Sequence, residues 1–208
     1  MSTSDTKIKL CGMFRECDID YVNEAKPDYI GFIVMFPKSH RNIGLETALR
    51  LRSRLSPEIK SVAVSVNAPV EMLAEFAKRG AAELLQCHGN ENAEYIARLR
   101  ELTGVPIIKA VKVTTSSDIE NAQALGADYL LLDSGTGSGV TFDHTLIDRE
   151  KIRVPFFLAG GLTPDNLGAA IRNVKPFAVD LSSGIETDKL KDREKILAAV
   201  REARNALG

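Results

Sequence analysis

The chain has almost no net charge: 27 Lys and Arg stand against 28 Asp and Glu, a formal −1 over 208 residues. That removes the basic surface on which nucleic-acid or anionic-membrane binding rests. No apolar run reaches the roughly 18 residues that a bilayer-spanning helix requires. The first residues, Met1 to Thr6, are polar and lack the apolar stretch of a secretory signal. Cysteine is scarce and irregularly spaced, at Cys11, Cys17 and Cys87. An odd, irregular set argues against a disulfide framework and predicts a reducing, cytoplasmic setting. No paired Cys or His spacing of the zinc kind occurs, so no metal is predicted. No Gly-x-Gly-x-x-Gly turn follows the first apolar run, which weighs against a dinucleotide-binding sheet.

What is present is a regular alternation. Eight short apolar runs recur at Ile8–Cys11, Tyr29–Val34, Ser61–Val66, Glu83–Cys87, Ile107–Val113, Tyr129–Asp133, Phe156–Ala159 and Phe177–Leu181. Between them, Leu45–Leu55, Val70–Lys78, Ala93–Leu102, Ile119–Leu125 and Arg193–Ala206 carry apolar residues at helical spacing. Thr163-Pro164-Asp165 sets a proline at a first helical position, and Ala68-Pro69 is read the same way. Strands alternating with helices imply parallel pairing. Eight units of about 24 residues predict a closed (β/α)8 barrel near the short end of that fold's range, with residues 1–208 as a single domain. An open doubly wound sheet is the alternative, and eight units suit closure better.

In such a barrel the strand ends share one rim. Lys9-Leu10-Cys11-Gly12 and Leu131-Leu132-Asp133-Ser134 each end an apolar run in one reactive side chain. A thiol that takes a proton and a carboxyl that gives one form an acid–base pair. Taken singly, Cys11 also reads as a small buried apolar residue, and Asp133 as a loop cap. The seventh run ends in Gly160-Gly161 and the eighth in Ser182-Ser183-Gly184, where barrels of this kind often hold a phosphate. Exposed amides and serine hydroxyls are suitable donors. Strand parity puts Lys9 beneath Cys11 and Asp180 beneath Ser182, so a buried Lys9–Asp180 ion pair is expected below the site. Gln86 and His88 share parity at the barrel mouth. His88 reads equally as a structural hydrogen-bond donor and as a substrate contact.

These motifs resemble those of phosphoribosylanthranilate isomerase. The likeness runs in order through Lys9–Gly12, Gly31-Phe32, Ser39–Arg41, Val66-Asn67, Gln86–Gly89, Leu132-Asp133, Gly137–Gly139, Phe142-Asp143, Ala159–Leu162 and Val179–Glu186. The chain departs from the family's usual pattern at Phe14, Cys87, Thr136 and His144. The resemblance implies an Amadori rearrangement in tryptophan biosynthesis, with Asp133 as general acid, Cys11 as general base, and Arg41 holding the anthranilate carboxylate. It implies a small phosphorylated substrate and no cofactor, because the substrate's own nitrogen is the electron sink. Without it, Arg41 reads as a solvated surface charge. A related isomerase of histidine biosynthesis carries a carboxylate at the base position, so Cys11 argues against that activity. Two other readings stand beside it. One is a Schiff-base lyase using Lys109, which lies inside an apolar run. The other is a barrel that binds phosphosugars without turning them over. The oligomeric state stays open between monomer and homodimer.

Overall fold

A computed structural model describes residues 6–133, 147 and 149–206. Gly137–Gly139, Phe142-Asp143, Thr136 and His144 lie outside the described residues. In chain order the elements are β1 (Lys7–Cys11), α1 (Glu16–Ala25), β2 (Tyr29–Val34), β3 (Asn42–Ile43), α2 (Leu45–Arg54), β4 (Lys60–Ser65) and α3 (Val70–Lys78). They continue with β5 (Leu84–Cys87), α4 (Ala93–Thr103), β6 (Ile107–Lys112), α5 (Ser116–Gln123), β7 (Tyr129–Asp133), β8 (Phe156–Ala159) and α6 (Pro164–Val174). The last four are β9 (Ala178–Leu181), β10 (Glu186–Thr187), β11 (Leu190–Lys191) and α7 (Arg193–Asn205). No helix among the described residues is long and apolar enough to cross a membrane.

The fold is a (β/α)8 barrel. Parallel strands follow one another in the order β1, β2, β4, β5, β6, β7, β8, β9. β1 closes the ring by pairing with β2 on one side and β9 on the other. The two-residue β3 adds to β2, and β10 and β11 form a separate antiparallel ribbon. All eight predicted runs are strands, with ends that shift by one residue at most. Helix α1 has no counterpart among the helical stretches of the sequence, because its buried face includes Asp18 beside Ile19 and Val22. That carboxylate accepts hydrogen bonds from the Phe14 and Arg15 amides and from the Arg15 guanidinium, which sets the loop after β1. Pro164 occupies the first turn of α6 as expected, behind a Thr163–Asn166 capping box. Pro69 instead sits at the N-cap, one residue before α3 begins.

Alternation along each strand sorts side chains into two cores. Outward residues such as Ile8, Leu10, Ile30, Phe32, Leu85 and Leu132 pack against the helices. Inward residues, among them Tyr29, Val62, Leu84, Ile108, Leu131 and Phe157, fill the barrel. Phe157 is fully buried, with ring centroids 5.6 Å from Tyr29, 5.7 Å from Tyr129 and 5.6 Å from Phe177. This aromatic plug closes the end of the barrel opposite the reactive side chains. Removing it leaves a cavity with few neighbours able to collapse inward. Phe157→Ala is therefore expected to lower unfolding free energy by about 3–5 kcal/mol. Denaturant unfolding checks this, and a loss below about 1 kcal/mol would refute the plug's role.

Candidate active site

The carboxyl ends of the barrel strands surround a cavity of about 280 Å³. Its wall includes Cys11 from β1, Gln86 and His88 from β5 and its loop, Asp133 from β7, and Gly160 and Gly161 after β8. Asp180, Ser182 and Ser183 complete it from β9 and the turn beyond. Thus Cys11, Asp133, Gln86, His88 and four of the five expected phosphate-loop residues converge on one space. Gly184 does not line it. A side chain there would meet the Leu162 carbonyl oxygen at 1.9 Å, so Gly184 lets the two rim loops touch.

The reactive groups have distinct surroundings. Cys11 is buried, and burial pushes its thiol above the ordinary range, while Lys9 beneath it pulls the other way. Across from it on β2, Gly31 leaves the sulfur room: a Cβ at that position would lie 2.7 Å from Sγ. Lys9 and Asp180 face each other in register across the β1–β9 seam, with Nζ 2.7 Å from Oδ2 and side-chain exposures of 0% and 8%. Burial works against the Lys9 charge, but Asp180 and then Cys11 outweigh it and move the ammonium upward. The expected ion pair is present. On the opposite wall, the Gln86 amide donates to His88 Nδ1 at 3.0 Å. The ring proton then sits on Nε2, which lies 3.7 Å from Asp133 Oδ2. Gln86 Oε1 and Asp180 Oδ1 are buried acceptors without a hydrogen-bond partner, and both residues line the cavity.

Two residues fall elsewhere. Lys109 is buried outside the barrel lumen, ion-paired to Glu91 at 3.0 Å and donating to the carbonyls of Cys87, Gly89 and Ala110. It does not line the cavity, so the Schiff-base reading loses its nucleophile. Arg41 stands at the rim, with its side chain against Gly12, the residue after Cys11. Its Nε and Nη2 each donate to Glu186 at 2.6 Å. The rim also gathers two residues that the motifs do not mark as site residues: Glu186, at the end of Val179–Glu186, and Lys191, whose buried ammonium lies 2.7 Å from it. Among the described residues, no cluster of three or more His, Cys, Asp or Glu could hold a metal ion.

Three comparisons bear on this arrangement. Residues 8–202 match the family model described as N-(5'phosphoribosyl)anthranilate (PRA) isomerase. The N-(5'-phosphoribosyl)anthranilate isomerase of Endomicrobium trichonymphae is 42% identical over 200 residues, covering 94% of this chain and 96% of that protein. The phosphoribosyl anthranilate isomerase of Thermotoga maritima superposes with a TM-score of 0.85 at 35% identity, covering 95% of this chain and 98% of its own. A phosphoribosyl anthranilate isomerase crystallised with reduced 1-(o-carboxyphenylamino)-1-deoxyribulose 5-phosphate gives 0.84, again at 35% identity and with the same coverage.

The buried thiol yields a measurable sign. Because burial holds the Cys11 ionisation above its usual 9.0, its alkylation by iodoacetamide should still be climbing past that pH. The half-buried Cys17 should react first near neutrality. Peptide mapping of labelled protein decides it, and Cys11 reacting first at pH 7 would contradict the assignment.

Proposed function

Because the chain belongs to the N-(5'-phosphoribosyl)anthranilate isomerase family and is an isomerase of that type, we propose that Asp133 and Cys11 divide the proton transfers of the rearrangement between them. The substrate is N-(5-phosphoribosyl)anthranilate, and the product is 1-(2-carboxyphenylamino)-1-deoxyribulose 5-phosphate. The observation that carries the assignment is the convergence of a thiol from β1 and a carboxyl from β7 on one cavity, beside the loops after β8 and β9.

Asp133 protonates the ring oxygen as the bond to C1 breaks, and the anilino nitrogen supplies the electron pair of the resulting iminium. Cys11 then takes the proton from C2. The electron pair left behind forms the enolamine, which becomes the ketone when C1 is protonated and the C2 hydroxyl loses its proton. The iminium is the electron sink throughout, so the chemistry calls for placement and two proton-transfer groups. His88 Nε2 faces Asp133 and orients it. Lys9 lies under the thiol and favours the thiolate when it forms. Gly160, Gly161, Ser182 and Ser183 hold the phosphate through amides and hydroxyls, with Gly184 holding the loops together. Gln86 holds His88 through its amide and so supports the orientation of the Asp133 carboxylate. Arg41 meets the anthranilate carboxylate.

Fluorescence loss with freshly prepared substrate measures turnover directly. Cys11→Ser and Asp133→Asn should each lower kcat by about 10²–10⁴-fold, the usual range for losing a proton-transfer group. Their melting temperatures should stay close to that of the parent. Either variant retaining the parent rate would remove that residue from its role. Inorganic phosphate at tens of millimolar (about the range for a weak anion site) should inhibit competitively and raise the melting temperature. Neither effect appearing would remove the phosphate reading of the two loops.

A further inference from the structure

The arm that carries Arg41's partner has a charge arrangement that the reaction itself does not require. β10 and β11 form a ribbon joined by Asp188 and Lys189, both with positive φ, at 52° and 65°. The pairing sets Glu186 directly across from Lys191. Lys191 is held in place by its own backbone, whose carbonyl accepts from Arg15 at 2.9 Å. Its ammonium donates to the Ser182 carbonyl at 2.9 Å and pairs with Glu186 Oε1 at 2.7 Å, with no side-chain exposure. Glu186 in turn takes both Nε and Nη2 of Arg41. A Cβ on Gly12 would lie 2.5 Å from Arg41 Cδ and 3.4 Å from Lys191 Nζ, so both cations lie against the backbone next to Cys11.

The charges add up simply. Arg41 and Glu186 alone make a neutral pair with two of the guanidinium donors already used. Such a pair has little to offer a carboxylate. Lys191, whose ammonium is shut away from water, changes the sum over these three side chains to one net positive charge; Lys195, which donates to the Glu186 carbonyl at 2.7 Å, is offset by its neighbour Asp192. We propose that Lys191 is a specificity-determining residue, supplying the net charge that lets Arg41 attract the substrate's aryl carboxylate while Glu186 holds it. Lys191 acts through the Glu186–Arg41 pair and positions it. Burial pulls the Lys191 ionisation downward and Glu186 opposes that pull. A buried lysine is a costly way to tie two strands if the tie is all it supplies. The inference rests on the reading of Arg41 given above, and the experiment separates the two.

The probes are the reduced product analogue 1-(2-carboxyphenylamino)-1-deoxyribitol 5-phosphate and its phenylamino counterpart, which lacks the carboxylate. Calorimetric titration of the full-length protein gives the ratio of their affinities. Lys191→Met should cut the preference for the carboxylated analogue by about tenfold and leave binding of the other within about twofold. Glu186→Gln should keep or increase the preference, since both cations remain. The double variant should regain the preference, because Arg41 alone again carries one net charge. That rescue is a result that a merely structural tie would not give. A preference unchanged in Lys191→Met, an equal loss for both analogues, or no rescue in the double variant would overturn the proposal. Should Lys191→Met fail to fold, Glu186→Gln still decides, because a lowered preference there contradicts the charge sum. Arg41→Met must abolish the preference; if it does not, the reading of Arg41 fails. If Arg41→Met abolishes it and Lys191→Met leaves it intact, only the role of Lys191 is overturned.

Discussion

The seam between β1 and β9 is where this barrel becomes a ring, and an ion pair lies across it. Lys9 and Asp180 are register partners, both inward, both shut away from water. Either charge alone would be prohibitively costly in that place. Together they commit the first and last strands of the barrel to one alignment. A slip of either strand by one residue would turn its own charged side chain toward the apolar layer under the helices and leave the other unpaired in the lumen. The same alignment puts Cys11 above Lys9, and Ser182 follows Asp180 and Leu181 at the rim. Closure, the placement of the thiol and the start of the loop after β9 thus depend on one pair of charges.

Much of this could be read from the residues. The apolar runs mark the strands almost to the residue, because a parallel strand buried on both faces is a near-continuous apolar stretch. The inward parity of Lys9 and Asp180 followed from that of Cys11 and Ser182. The misreadings share a cause. Lys109 sits in an apolar run, but a strand buried on both faces gives no sign of which side points inward. Its neighbours Ile108 and Ala110 fill the lumen, and Lys109 points out to Glu91. Lys191 lies in Asp188-Lys189-Leu190-Lys191-Asp192-Arg193, a charged stretch with no apolar pattern to mark a buried lysine. Two-residue strands are too short to show a period. Arg41 and Glu186 stand 145 residues apart, and only closure brings them together.

The chain as a whole is close to neutral, yet the neighbourhood of Cys11 is not. Lys9 lies below the thiol and is answered by Asp180, while Arg41 and Lys191 lie beside it and share Glu186. Both ends of the proposed substrate are anionic. In the proposed reading, backbone amides and hydroxyls meet one end and a shared guanidinium meets the other. Burial pushes the Cys11 ionisation upward, and Lys9 beneath it pulls the other way. In the proposed reaction a bound, positively charged iminium would add to that pull and favour the thiolate.

The missing side chain at Gly31 has a consequence for how this barrel can vary over time. The sulfur of Cys11 occupies the notch that a Cβ at Gly31 would claim. Position 31 therefore cannot take a side chain while a thiol stands at position 11. Among descendants of this sequence that keep the thiol, position 31 should stay fixed as glycine, and a laboratory library that randomises it around Cys11 would sample mostly dead ends.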